Sequence, residues 1–451
     1  METYSLKPQA IALSDGWDVI VLGGGPSGCT AAVAAAREGA RTLLLEATNC
    51  LGGMGTAGLV PAWCPFSDKE KSVYRGLAQR VFDESRKGVP HEPSSKLDWV
   101  AINPEHLKRV YDDLVTGAGV HVLFHAQAAS VQMRADGEVD AVLVATKAGL
   151  TAYRARVYVD STGDGDVATW AGAPFAKGDA ATGELQPATM CFQLANVTTF
   201  HYLHSPTVFP SNKQSPVYSI VGNPKYPHVR DAHMCQNEVG PNVVGFNAGH
   251  VWDADNTDPE KLTQAIFEGR KVADELQRGL AEFHPKAFGG SFLAATGALL
   301  GIRESRRIEG DYVLTAEDYA ARRSFDDEIG RNSYFIDIHT AKAEVAAANA
   351  KREWDELVVG RFEHYGAGES HGIPYRCLTP KGLRNVVVSG RCISTDRPVQ
   401  GSTRVMPACL VTGEAAGLAA ALAARAGQPD VHAVDTAHLR RRLREEGAYL
   451  P

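Results

Sequence analysis

Gly23, Gly25 and Gly28 stand in the spacing G-x-G-x-x-G, and an acid, Glu46, follows 18 residues after the last of them. Each residue type has a task in holding a dinucleotide. Gly23 permits a tight turn, Gly25 lets the backbone approach a pyrophosphate, and Gly28 lets a helix pack close to a strand. Pro26 and Ser27 lie inside this loop. The N-terminus of a following helix offers free N–H groups and partial positive charge to the phosphates. Glu46 then accepts hydrogen bonds from both ribose hydroxyls.

Three spaced glycines carry weight only in the right surroundings. Asp18-Val-Ile-Val-Leu22 reads as a buried parallel strand. The Ala-rich stretch from Cys29 to Glu38 reads as a helix, stopped by Gly39, and Arg41-Thr-Leu-Leu-Leu45 as a second strand that ends in Glu46. These elements form a complete β–α–β unit of about thirty residues.

Three later features favour FAD over the shorter NAD. Leu51-Gly-Gly-Met-Gly55 is a second glycine cluster just beyond Glu46. A run of short β-rich segments from Val120 to Asp160 leads into Ser161-Thr-Gly-Asp-Gly165, a second close backbone approach. Val388-Ser-Gly-Arg391 and a helix from about Pro407 return late in the chain. A long cofactor held along its whole length needs such a return.

The segments Cys50–Gly58, Gly301-Ile-Arg-Glu-Ser-Arg-Arg-Ile-Glu-Gly310, Tyr375-Arg-Cys-Leu-Thr379 and Gly401-Ser-Thr-Arg-Val-Met-Pro407 span nearly the whole chain. With the glycine loop they resemble the FAD-dependent oxidoreductases distantly related to succinate dehydrogenase and fumarate reductase flavoproteins. The resemblance implies FAD contacts at Gly23, Gly25, Gly28, Glu46, Gly52, Gly53, Met54, Ala126, Gly163, Asp164 and Arg391. It also places Arg404 to Cys409, with Pro407 and Ala408 between them, near the flavin ring. Many relatives carry an acid after the late glycine; here Gly390 precedes Arg391, so a guanidinium contact to the pyrophosphate is expected instead.

Several residues are candidates for the chemistry itself. Arg303-Glu-Ser-Arg306-Arg307 directly follows an apolar stretch, and such a cluster neutralises an anion or forms an ion-pair network with Glu304, Glu309 and Asp311. Arg303, Arg306 and Arg404 are the candidates to hold an anionic or polar substrate. Asp337 and His339 stand two apart, on one face if the segment is a strand. His339 is then a base with Asp337 behind it, and His371 is the second candidate. The two histidines are too far apart in sequence to suggest a metal site, and none is expected. Trp63-Cys64-Pro-Phe66 is expected over the flavin ring.

The fold that positions these residues is expected to be α/β: a Rossmann-like FAD-binding domain of glutathione-reductase type with an inserted α+β substrate domain. Residues 1–171 and 372–451 make the discontinuous FAD domain. Residues 172–371, where β–α alternation is lost, make the insertion. The net charge of −7 gives no polyanion footprint, and Arg440–Arg444 read as the solvated face of a last helix. None of the eight cysteines forms a C-x-x-C pair, against a dithiol reductase or a cysteine-bound cluster. With no apolar run of about 20 residues and no signal-like start, a cytoplasmic location is the default. The expected partner is a small-molecule substrate, without nucleic acid or membrane; whether the chain forms a homo-oligomer stays open. The leading function is oxidation or reduction of a small organic molecule by hydride transfer through FAD. An RNA-modifying flavoprotein of the tRNA-uridine type, or a non-catalytic flavin redox sensor using Cys50 and Cys64, are the alternatives.

Overall fold

The computed structural model describes residues 4, 7, 9–135, 137–205, 207–339, 349, 351 and 363–451. Its larger sheet is built outward from one buried strand. β1 (Ala12–Leu22) pairs in parallel with β2 (Thr42–Leu45) and with β6 (Gly149–Asp160). Beyond them, β3 (His121–Leu123) pairs with β2, and β15 (Val386–Val388) with β6, again in parallel. The first half of β6 pairs antiparallel with β5 (Glu138–Thr146), and β5 with β4 (Gln127–Ala135). Val19 to Leu22 are fully buried, as an uninterrupted Val/Ile/Leu run covered on both faces requires.

Pro26 at the first turn starts α1 (Pro26–Arg37). Its alanines pack against the helix Met406–Ala424. Side chains on Gly413 and Gly417 would collide with the Ser27 and Ala31 backbone carbonyls, so only glycine allows this approach. Met406–Ala424 is long and apolar enough by composition to cross a membrane, but 94% of its apolar window is buried inside the protein. It is a core helix. No apolar run of this length was expected; Glu414, the one charge inside it, is buried on Arg37 at 2.9 Å and on the Leu77 N–H.

A second sheet is antiparallel throughout, in the order β11 (Phe292–Thr296), β8 (Phe192–Ala195), β10 (Val243–Ala248), β9 (Met234–Gly240). The helix Pro259–Phe283, capped by Asp258, lays Val272, Leu276 and Leu280 against it at four-residue spacing. Phe192 and Phe246 stack in that core with centroids 4.9 Å apart.

Expected as one inserted unit, the described residues of 172–371 contribute to three apolar clusters, the smallest of them formed by Ala188, Met190, Val251, Ala254, Ala265, Leu300 and Ile302. Phe192 to Phe288 contribute the core of the second sheet. Ile308, Tyr319, Ile336 and Ile373 instead pack into the core of the seven-stranded sheet. Two short ribbons carry the crossing: β7 (Phe175–Lys177) with β12 (Arg306–Ile308), and β13 (Glu328–Asn332) with β14 (His371–Pro374). Ribbons this small have too little apolar face to close a core of their own.

Candidate active site

A cleft of about 350 Å³ runs past the ends of β1, β2 and β6, where Leu22, Leu45 and Ser161 line it. Ligands bind at this edge of open α/β sheets. Of the residues expected around FAD, Gly23, Gly25, Pro26, Ser27, Glu46, Gly53, Met54, Ala126, Gly163, Asp164, Arg391 and Cys409 line it. Gly25 is the N-cap of α1 and caps it with no side chain. A Cβ there would meet nothing within 4 Å, so the backbone faces open space. Uncapped amides at a helix N-terminus beside a side-chain-free wall are what a pyrophosphate fills. The residues present therefore fit the cofactor.

Glu46 accepts the Gly24 N–H at 2.6 Å and the Thr48 N–H at 2.7 Å. These bonds fix its carboxylate on the cleft wall. Gly28, Gly52, Pro407 and Ala408 are not on that wall. A side chain at Gly28 would run into the Gly23 carbonyl, and one at Gly52 into the Tyr111 ring, so both serve packing.

Arg391 departs from expectation. Its guanidinium donates to Asp164 at 2.6 Å and to the Gly163 and Ile302 carbonyls at 3.0 and 3.1 Å. Half-buried beside Asp164, the guanidinium takes that carboxylate, so Arg391 is a strut across the cleft rather than a free phosphate clamp.

The cleft opens into a second cavity of about 950 Å³ between the two sheets; Met54, Ile302, Arg391, Arg404 and Met406 line both. Arg404 Nε is buried at this junction with no partner among the described residues. The helix Met406–Ala424 begins here after Val405. Its hydrogen bonding starts with the Cys409 N–H, which donates to Val405 O at 3.0 Å. The Cys409 N–H is thus already used, which leaves the first-turn amides of this helix without intrahelical partners.

Residues 333–339 carry no regular structure, so Asp337 and His339 do not share a strand face. The two side chains meet nonetheless, with His339 Nε2 3.4 Å from Asp337 Oδ1. Asp337 also accepts from Arg404 Nη2 and from the Tyr334 hydroxyl, each at 3.1 Å. Burial raises its pKa, but His339, Arg404 and Arg303 hold it well below the usual carboxylate range. Burial, with Arg303 beside it, pushes His339 down to about 3.

His339 has neighbours that sequence reading missed. His250 Nε2 lies 2.8 Å from His339 Nδ1, and Asp231 Oδ1 lies 3.3 Å from His250 Nδ1. His233 stacks on His250 at 4.4 Å. Asp231 and His233 lie just before the start of β9 and His250 just beyond the end of β10, far from position 339 in the chain. Only the motif-poor spacing Asp231-x-His233 resembled Asp337-x-His339.

Arg303 lines the large cavity and donates to Pro187 O, Thr189 Oγ1 and Asn247 Oδ1. All three acceptors are neutral. Burial, then Arg404, brings its pKa down to about 10. The other candidates lie elsewhere. Arg306 is held by Asp166 at 2.7 Å and Arg307 by Glu304 at 2.6 Å, the ion-pair outcome; neither lines the two cavities. His371 is fully buried on β14, where Tyr365 meets its Nδ1 at 2.7 Å. It reaches neither cavity. Cys64 lines the large one, while Trp63 and Phe66 pack into the core.

A family model described as FAD dependent oxidoreductase matches residues 18–443. Thiamine thiazole synthase from Aeropyrum pernix is 44% identical over 75 residues, 17% of this chain and 24% of that protein. The match thus spans about a quarter of that curated relative. Among solved structures, a geranylgeranyl bacteriochlorophyll reductase-like protein from Thermoplasma acidophilum has 14% identity and a TM-score of 0.46, over 96% of this chain and 83% of the other. The p-nitrophenol 4-monooxygenase of Pseudomonas putida has 12% identity and a TM-score of 0.40, over 67% and 70%.

Proposed function

Because the chain belongs to the FAD dependent oxidoreductase family and FAD is its cofactor, we propose that it transfers hydride between FAD and a small organic acid held in the large cavity. The observation that carries this reading is Arg303. It is a buried guanidinium on the cavity wall with neutral acceptors only, and no carboxylate pairs with it among the described residues. A buried cation is costly until an anion joins it. Trp99, Tyr202, Phe209 and Phe335 give the rest of the wall an apolar, aromatic character. A carboxylate on an apolar body satisfies both parts.

When bound, FAD supplies the hydride acceptor or donor. The chain's own residues do the rest. Arg303 anchors the carboxylate and so fixes the substrate's distance from the junction with the cleft. The apolar wall excludes water. His339, neutral at pH 7, takes the substrate's O–H or N–H proton on Nε2, and Asp337 beside it stabilises the imidazolium that forms. Arg404 keeps Asp337 ionised. Burial pushes the Cys64 thiol up to about 12, which leaves little thiolate for the sensor alternative.

The test is anaerobic mixing of FAD-loaded protein with carboxylic acids and their matched amides, followed by flavin absorbance. Bleaching by an acid and not by its amide supports the proposal. Bleaching by amides alone, or by neither, sinks it.

A further inference from the structure

Trp99 is held in a conformation that its own chemistry opposes. Its φ is +55°, and in that left-handed region a bulky side chain crowds its own backbone. Its side chain is also 41% exposed. A large ring in water and a strained backbone both cost stability. Of the described non-glycine residues lining either cavity, it alone has such a backbone. The chain on either side supplies the restraint. Before it, the Asp98 carboxylate accepts the Phe66 and Ser67 N–H groups at 3.1 and 3.0 Å and the Ser67 hydroxyl at 2.8 Å. Beyond it, Val100 O accepts the Trp63 N–H at 2.9 Å, and the Ile102 N–H donates to Pro61 O at 2.9 Å. Val100, Ala101 and Ile102 are buried in the core. Both flanks are thus fixed, and residue 99 absorbs the turn between them. Strain of this kind persists where the surroundings over-determine it, and it gathers at ligand clamps.

What the strain holds in place is one ring on a wall of rings. Trp99 meets Tyr334 edge-to-face, with centroids 6.3 Å apart. Tyr334 meets Phe335 at 4.4 Å, and Phe335 stacks on His364 at 4.5 Å and 11°. All four line the large cavity. Aliphatic side chains would keep water out as well. Contiguous rings add a preferred geometry for one more ring, offset-stacked or edge-to-face. A cationic ring has the wrong sign, because Arg303 and Arg404 line the same cavity.

We propose that Trp99 is the specificity-determining residue of the large cavity: its indole packs on an aromatic ring of the substrate while Arg303 holds the carboxylate, so the substrate is an aryl-bearing carboxylic acid. A cavity of about 950 Å³ has room for a ring and a linker beyond the carboxylate. This deepens the reading of the cavity as an acid site and rests on it.

The experiment is calorimetric titration of FAD-loaded protein with phenylpropanoate, cyclohexylpropanoate and phenylpropanamide. The phenyl acid should bind roughly 2–12-fold tighter than the cyclohexyl acid, the worth of an aromatic pair beyond its buried area. In Trp99→Leu that preference should vanish. If Trp99→Leu does not fold, Trp99→Asn takes its place, since asparagine accepts a left-handed backbone and carries no ring. Equal binding of the two acids by the unaltered protein overturns the proposal, and so does a preference that survives the loss of the indole. The amide separates this outcome from the reading beneath it. Equal rings with the acid still favoured over its amide remove the ring contact alone. An amide bound as tightly as the acid removes the acid site itself. Urea unfolding tests the strain: Trp99→Gly should have a higher midpoint than Trp99→Ala, because only glycine takes this φ freely. The reverse order means that nothing holds the ring against its preference, and overturns the proposal.

Discussion

His250 Nε2 stands 2.8 Å from His339 Nδ1 although 89 residues separate them. One ring closes the second sheet at the end of β10, and the other sits on an irregular segment that has rejoined the first core. The contact spans the seam between the two sheets, and the large cavity opens along the same seam.

Replacing His339 by Ala should slow flavin reduction roughly 10²–10⁴-fold while FAD stays bound. His371→Ala should leave the reduction rate unchanged and lower stability, because its ring is buried away from both cavities. Rapid-mixing traces of the two variants separate these roles; slow reduction in His371→Ala with normal folding would return that residue to the site.

Arg303→Ala should retain FAD and lose affinity for an acid substrate. A hydrogen bond to a charged group is worth about 1.5–3 kcal/mol, so the substrate concentration for half-maximal bleaching should rise at least tenfold. Loss of folded protein instead would mean that the guanidinium serves the Pro187, Thr189 and Asn247 contacts alone.

Glu46→Ala removes an acceptor that is already oriented by the Gly24 and Thr48 amides. FAD should dissociate at least tenfold more readily, for the loss of about 1.5–3 kcal/mol. Titration of apoprotein by flavin fluorescence measures this, and unchanged affinity would take Glu46 out of the site.

Stability should fall as pH drops from about 6.5 towards 3. His339 and His371 are each lowered from 6.5 to about 3 in the fold, chiefly by burial. Within that window the unfolded chain binds more protons, so unfolding free energy rises with pH and is lost on acidification. Urea midpoints should be lower at pH 5 than at pH 7. In His371→Gln the difference should shrink; an equal or larger difference would mean the ring is already charged in the fold.

The glycine loop, the β–α–β unit and Glu46 were legible in the sequence because their constraint is local. A tight turn needs glycine, and a doubly covered strand needs an unbroken apolar run. The late return at Val388–Arg391, which follows the strand Val386–Val388, was legible for the same reason. Arg303, Asp337, His339 and Arg404 were found as types and Asp337 was paired with His339, but the contacts of Arg404 with Asp337 and of His250 with His339 were not found. Arg303 and Arg306 read alike in one short run. Only the fold turns one into the cavity and the other onto Asp166.

What the sequence alone determined is the dinucleotide fold and the place of its cofactor loop, since hydrogen bonding and steric limits within some thirty residues dictate them. What only the tertiary structure decided is which charges are neutralised and which histidines touch. His250 and Asp231 carry no spacing signal relative to His339. They meet it because one sheet packs across the other, and burial there lowers the pKa of all three imidazoles.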